Sequence, residues 1–190
     1  MKRIAIFASG SGSNAEQITN YFHSGSNEVK IELILTNKAN AFVLERAKNL
    51  GIESLVFNRE TFYQTNEIVD ELQGREIDLI VLAGFLWLVP ENLIKAFPNR
   101  IINIHPALLP KYGGKGMYGD RVHQAVVANN EKETGITIHL VDEIYDNGKI
   151  LNQEKCEVLP TDSPSDVAQK IHQLEYEYFP KTIEDYLTKI

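Results

Sequence analysis

The chain has 190 residues, 43% hydrophobic and 24% charged, and 19 basic against 26 acidic side chains give a formal charge of −7. That balance argues against a dedicated nucleic-acid binder with a basic face, and without a run of about 18 apolar residues no membrane span is expected. A single cysteine, Cys156, excludes an internal disulfide framework and a multi-cysteine metal site, and cytoplasmic residence is the expectation.

Arg3–Ala8 reads as a first β-strand, because its apolar run is too short for a signal peptide and a Gly/Ser turn follows it. Asn14–Ser24 carries helix-spaced apolar residues, and Lys30–Thr36 reads as a second strand. Ala41–Leu50 follows as a helix ended by Gly51, and Glu53–Phe57 as a third strand. One helix is predicted over Glu60–Gln73, then strands over Asp78–Ala83 and Arg100–Ile104. The unbroken Leu79-Ile80-Val81-Leu82-Ala83 suits a strand covered on both faces. This alternation predicts right-handed βαβ crossovers and an α/β fold: a Rossmann-like, mostly parallel twisted sheet with helices on both faces.

The second half changes character. Pro106–Asp120 holds four glycines and two prolines and reads as a long loop, a feature that is often functional. A helix over Asp120–Asn129 comes next, then strands Gly135–Asp142 and Lys149–Val158, joined through Glu143–Gly148 as an antiparallel C-terminal extension. Asp162-Ser163-Pro164-Ser165 starts a terminal helix that is expected to be interrupted at Pro180.

Two motifs point to chemistry. Ser9-Gly10-Ser11-Gly12-Ser13-Asn14-Ala15 joins the first strand to the first helix, where glycines allow close backbone approach and helix-start N–H groups address a phosphate. Gly10-x-Gly12-x-x-Ala15 fits a relaxed dinucleotide pattern, yet Asn37-Lys38, not an acid, ends the second strand, so a single phosphate is favoured over a nicotinamide cofactor. Asn103-Ile104-His105-Pro106 stands at the C-terminal end of a buried strand, and its amide and imidazole, two residues apart, can address one carbonyl oxygen. Asp142, Glu143 and Asp146 follow in the later turn; any of them could position His105, and spacing does not choose. His23, His123 and His139 read as structural, Cys156 as packing, and no spacing suggests a metal.

Ser9–Asn14, Leu82-Ala83-Gly84-Phe85, Asn103-Ile104-His105-Pro106-Ala107-Leu108-Leu109-Pro110 and Val141-Asp142-Glu143-x-x-Asp146-x-Gly148 together resemble the folate-dependent formyltransferase family over nearly the whole chain. The short Gly-Ser-Asn loop is similar to the branch acting on glycinamide ribonucleotide in purine biosynthesis. The resemblance implies direct formyl transfer from 10-formyltetrahydrofolate, a co-substrate, to the amine of that ribonucleotide, without metal or nicotinamide. It assigns Asn103 and His105, as imidazolium, to the oxyanion, and Asp146 to holding His105 charged and assisting proton transfer. Gly12, Ser13 and Asn14 fall to the substrate phosphate, Glu175 to its ribose, His172 near the phosphate, and Gly84 and Pro106 to the substrate's border. Phe85, Leu86, Trp87, Leu88, Val89, Asp142 and Asp146 fall to the folate. Trp87 stands where relatives carry Arg or Lys, and Lys115 or Arg121 are the candidates to replace that cation. The resemblance further implies one domain over 1–190, with a phosphate-binding half over 1–100 and a catalytic and folate-binding half over 101–190. Neither nucleic acid nor membrane is an expected partner, and the chain is expected to be a monomer or homodimer. The alternatives are a 10-formyltetrahydrofolate hydrolase and another small-molecule formyltransferase.

Overall fold

The computed structural model describes residues 1–25 and 28–190. They fall into two compact units, Met1–Ile102 with Ile190, and Asn103–Lys189.

The first unit is built as alternating strands and helices: β1 (Lys2–Phe7), α1 (Ser13–Ser24), β2 (Val29–Thr36), α2 (Val43–Asn49), β3 (Ser54–Val56), α3 (Arg59–Tyr63), α4 (Glu67–Gly74), β4 (Leu79–Leu82) and α5 (Glu91–Ala96). β1 pairs in parallel with both β2 and β4, and β2 with β3. Four consecutive residues of β1, Ile4–Phe7, and all four of β4 are buried, which requires cover on both faces of these strands. Gly51, at φ +69°, ends α2 as expected: its N–H reaches Lys48 O at 3.1 Å and that of Ile52 reaches Ala47 O at 2.9 Å.

The predicted helix over Glu60–Gln73 is two helices. Asn58 caps α3, its Oδ1 accepting the Thr61 N–H at 3.0 Å, and the break falls at residues 64–66. There Thr65 Oγ1 donates to Thr61 O at 3.2 Å and accepts the Glu67 N–H at 3.3 Å, so a side chain replaces the helical ladder. The short α5 was not expected from the sequence; six residues give too little periodicity to read.

β5 (Ile101–His105) closes the first unit and opens the second, which continues with α6 (Asp120–Ala128), β6 (Glu133–Leu140), β7 (Ile150–Glu157) and α7 (Pro164–Leu187). β6 and β7 are antiparallel, with Thr134 opposite Cys156 and Ile138 opposite Asn152. The order in the seven-stranded sheet is β3-β2-β1-β4-β5-β6-β7, the expected mostly parallel α/β arrangement with an antiparallel C-terminal pair.

α7 opens with a capping box: Ser163 Oγ accepts the Asp166 N–H at 3.2 Å, Asp166 Oδ2 accepts the Ser163 N–H at 2.8 Å, and Pro164 occupies the first turn. Contrary to expectation, α7 runs on through Pro180. An interior proline costs about 3 kcal/mol. Burial of Phe179, Pro180, Ile183 and Leu187 around it offsets that cost, since each fully buried large apolar side chain contributes about 1.5–3 kcal/mol. Among the described residues no helix is long and apolar enough to cross a membrane.

Candidate active site

In the first unit the Ser9–Asn14 loop is pinned from several directions. Ser9 N–H donates to Gly84 O at 3.0 Å, and Ser9 Oγ donates to Asn37 Oδ1 at 2.7 Å while accepting the Leu86 N–H at 3.1 Å. One serine thus fixes the loop, the turn after β2 and the start of the Phe85–Val89 segment. Gly12 is the N-cap of α1 at φ +73°, and a Cβ there would collide with Val43, so both conformation and space demand glycine. No side chain caps α1, and its first turn carries one acid, Glu16. Ser13 is half-buried and Asn14 buried at this helix start.

Gly84, at φ +74°, turns the chain out of β4 into Phe85–Val89. Phe85 packs edge-on against Phe7 and Phe62, with centroids 5.4 and 5.5 Å away, and Trp87 meets Phe57, Phe62 and Tyr63 at 5.8–5.9 Å. Tyr63 OH donates to Leu88 O at 2.9 Å, Leu86 is exposed, and Val89 is buried. The segment is therefore an apolar shelf. The Arg59 guanidinium lies 4.9 Å from the Trp87 ring centroid. Arg59 is not legible from sequence as a partner of Trp87, because the two lie 28 positions apart. Arg121, one of the expected replacements, lies over Tyr118 at 5.2 Å in the second unit.

The second unit brings Asn103, His105 and Asp146 together and adds His139, which by sequence is an ordinary strand residue. His139 is 2% exposed; its Nδ1–H donates to Leu140 O at 2.8 Å, so Nε2 accepts, and Asn103 Nδ2 donates to it at 3.0 Å. This holds the Asn103 amide with one hydrogen committed and one available. His105 is 4% exposed; its Nε2–H donates to the Tyr112 carbonyl at 2.7 Å, and its Nδ1 faces Asp146 Oδ1 at 3.5 Å. Asp146 Oδ1 also lies 3.7 Å from His139 Nε2, while Oδ2 accepts the Gly114 N–H at 2.8 Å. Of the three candidate acids Asp146 is the one that meets His105. Asp142 spends both oxygens on its own turn, accepting from Ile144 N and Asn147 Nδ2 at 2.8 Å each, and Glu143 is exposed. Thr137 steadies the chain just after Pro106, its Oγ1 donating to Ala107 O at 2.7 Å and accepting the Leu109 N–H at 3.0 Å.

Burial pushes the His105 imidazole below its ordinary pKa, although the Asp146 charge and the Tyr112 carbonyl pull the other way. Desolvation of the charged ring therefore opposes the protonated form that Asp146 and the Tyr112 carbonyl favour. Burial works against ionised Asp146 too, but its surroundings, the His105 ring and the Gly114 N–H among them, outweigh it and hold the carboxyl below the usual range. On α7, Glu175 is 6% exposed and accepts from His172 Nδ1 at 2.9 Å, which raises the His172 pKa despite burial. His123, expected to be an ordinary helix-flank residue, is 4% exposed with its Nδ1 unpartnered among the described residues, and burial lowers its pKa.

These shifts carry a sign. His105 and His123 resist protonation when folded, so stability is full above the ordinary histidine pKa of about 6.5 and is lost as pH falls below it. Asp146 adds a loss of the same direction at lower pH, and His172 opposes, its contribution being present at low pH and lost as pH rises through its raised pKa. The urea midpoint is expected to fall from pH about 7 to about 5, and more steeply in His172→Gln. A flat or rising midpoint contradicts this.

Residues 2–183 match the family described as Formyl transferase. The chain belongs to this family. Among formyl transferases, phosphoribosylglycinamide formyltransferase, chloroplastic, from Arabidopsis thaliana is 41% identical over 187 residues, 96% of this chain and 64% of that protein. The chain therefore spans less than two thirds of the plant relative's length. Phosphoribosylglycinamide formyltransferase from Haemophilus influenzae is 38% identical over 97% of this chain and 86% of its own length. The crystal structure of phosphoribosylglycinamide formyltransferase from Bacillus halodurans superposes with a TM-score of 0.88 at 37% identity, covering 99% of this chain and 96% of that one. Among the described residues of this formyl transferase, no group of three His, Cys, Asp or Glu side chains could hold a metal ion.

Proposed function

We propose that the chain transfers the formyl group of 10-formyltetrahydrofolate to the amine of glycinamide ribonucleotide, in the cytoplasm and as a step of de novo purine biosynthesis. The observation that carries this reading is the cluster in the second unit, where a held amide, Asn103, stands with the His105–Asp146 pair. An acyl transfer that passes through a tetrahedral intermediate needs donors aimed at a developing oxyanion and a base for the attacking amine.

The neutral amine attacks the formyl carbon, forming the new C–N bond and leaving negative charge on the formyl oxygen. Asn103 donates its second amide hydrogen to that oxygen. His105 donates from Nε2, exchanging the Tyr112 carbonyl that accepts from it at rest for the stronger, anionic acceptor. The ring enters the step protonated, Asp146 stabilises that imidazolium, and Asp146 receives the amine's proton through water. Collapse breaks the bond to the folate nitrogen, which takes up a proton, giving formylglycinamide ribonucleotide and tetrahydrofolate. Gly12, Ser13 and Asn14 hold the phosphate, with His172 as a further donor; Glu175 accepts from ribose hydroxyls; Gly84 and Pro106 border the substrate. Phe85–Val89 and Asp142 take the folate, and the apolar shelf around Trp87 supports that assignment.

The deciding assay follows loss of the formyl donor with and without glycinamide ribonucleotide. Loss only when the ribonucleotide is present supports the transferase; equal loss without it makes the chain a hydrolase of the donor. No loss in either case overturns both.

A further inference from the structure

Arg46 of α2 lies outside the assigned site and contacts the loop that leads into it. Its Nε–H donates to the Ser11 carbonyl at 2.9 Å, and its guanidinium also pairs with the Glu16 carboxylate in the first turn of α1. The Phe42 ring lies against the same guanidinium, 5.1 Å from its centroid, and restricts its direction. One residue earlier in the loop, the Gly10 carbonyl accepts the Val43 N–H at 3.1 Å. Helix α2 therefore binds two successive loop carbonyls, those of Gly10 and Ser11. In a trans peptide the N–H points opposite to the C=O, so the N–H groups of Ser11 and Gly12 are turned away from α2.

Glu16 gives this arrangement an electrostatic consequence. An acid in a first helical turn suits the helix dipole, but it repels any other anion brought to the same end. We infer that Arg46 is a positioning residue for the substrate phosphate: it orients the loop amides through Ser11 and cancels the repulsion from Glu16. This rests on the reading of Gly12–Asn14 as the phosphate site. Arg46 itself need not touch the phosphate; it acts through the loop backbone and through Glu16.

The test compares wild type with Arg46→Gln, Arg46→Lys, Glu16→Gln and the Glu16→Gln/Arg46→Gln double variant. Ribonucleotide affinity is measured by calorimetry, alongside KM for each substrate and kcat. Arg46→Gln is expected to weaken ribonucleotide binding about tenfold or more, the scale of one lost charge-assisted hydrogen bond. The donor KM and kcat should stay within about twofold. Arg46→Lys should recover part of the affinity. Adding Glu16→Gln to Arg46→Gln should recover most of it, which a purely structural role for Arg46 cannot produce. Glu16→Gln alone should tighten binding severalfold, and it tests the inference even where Arg46→Gln fails to fold. Unchanged affinity in both single variants overturns the inference, as does a loss in Arg46→Gln that Glu16→Gln leaves unrelieved. Failure of the wild type to bind the ribonucleotide overturns the phosphate-loop reading itself, a result separate from any difference among the variants.

Discussion

Asn103→Ala is expected to lower the rate of ribonucleotide-dependent formyl transfer by about 10²–10³-fold, the usual cost of removing one oxyanion donor. The effect should fall on kcat, because a hydrogen bond from Asn103 to the formyl oxygen, as proposed, would strengthen only as charge develops there. Stability should fall as well. His139 Nε2, nearly fully buried, accepts from Asn103 at 3.0 Å, and leaving such an acceptor unsatisfied costs about 1–3 kcal/mol. Steady-state kinetics together with urea unfolding separates the two effects: the rate must fall by far more than the folded fraction does. A variant with near-normal kcat removes Asn103 from the mechanism.

Asp146→Asn tests the other half of the cluster and should cost about 10²-fold or more in kcat near neutral pH. His105 already sits below its ordinary pKa because burial outweighs the Asp146 charge. Removing the opposite charge lowers it further, so the imidazolium called for by the proposed mechanism should become rarer. Asparagine keeps an oxygen for the Gly114 N–H, which Asp146 holds at 2.8 Å, so the loop should remain in place. The diagnostic readout is the pH profile. Activity that depends on protonated His105 should shift toward lower pH in Asp146→Asn, and acidification should recover part of the rate. A uniform loss at every pH would instead mean that Asp146 acts only as a proton acceptor. An unchanged rate would remove it from the chemistry.

Much of this site could be read from local sequence. The Gly-Ser loop between β1 and α1 needs only short-range geometry: a left-handed turn at Gly12 and a helix start beyond it. Asn103 and His105 share one strand, and residues two apart on a strand share a side. The choice of Asp146 over Asp142 and Glu143 could not be made from spacing. Three acids within five positions are separated only by how the turn folds, and Asp142 is consumed by its own backbone and Asn147. His139 was legible only as a buried strand residue, because its partner Asn103 lies 36 positions away.

Sequence by itself determined the alternating strands and helices, the glycine-dependent loop, the capped start of α7 and the placing of Asn103 and His105 on one side of a strand. Each of these is a matter of period, backbone freedom or chemistry carried by neighbouring residues. Tertiary structure decided which acid meets His105, that Asn103 is held by His139, and that α7 passes through Pro180. It also decided the charge preference of His105, since burial is a property of the packed molecule and sets how costly an imidazolium is.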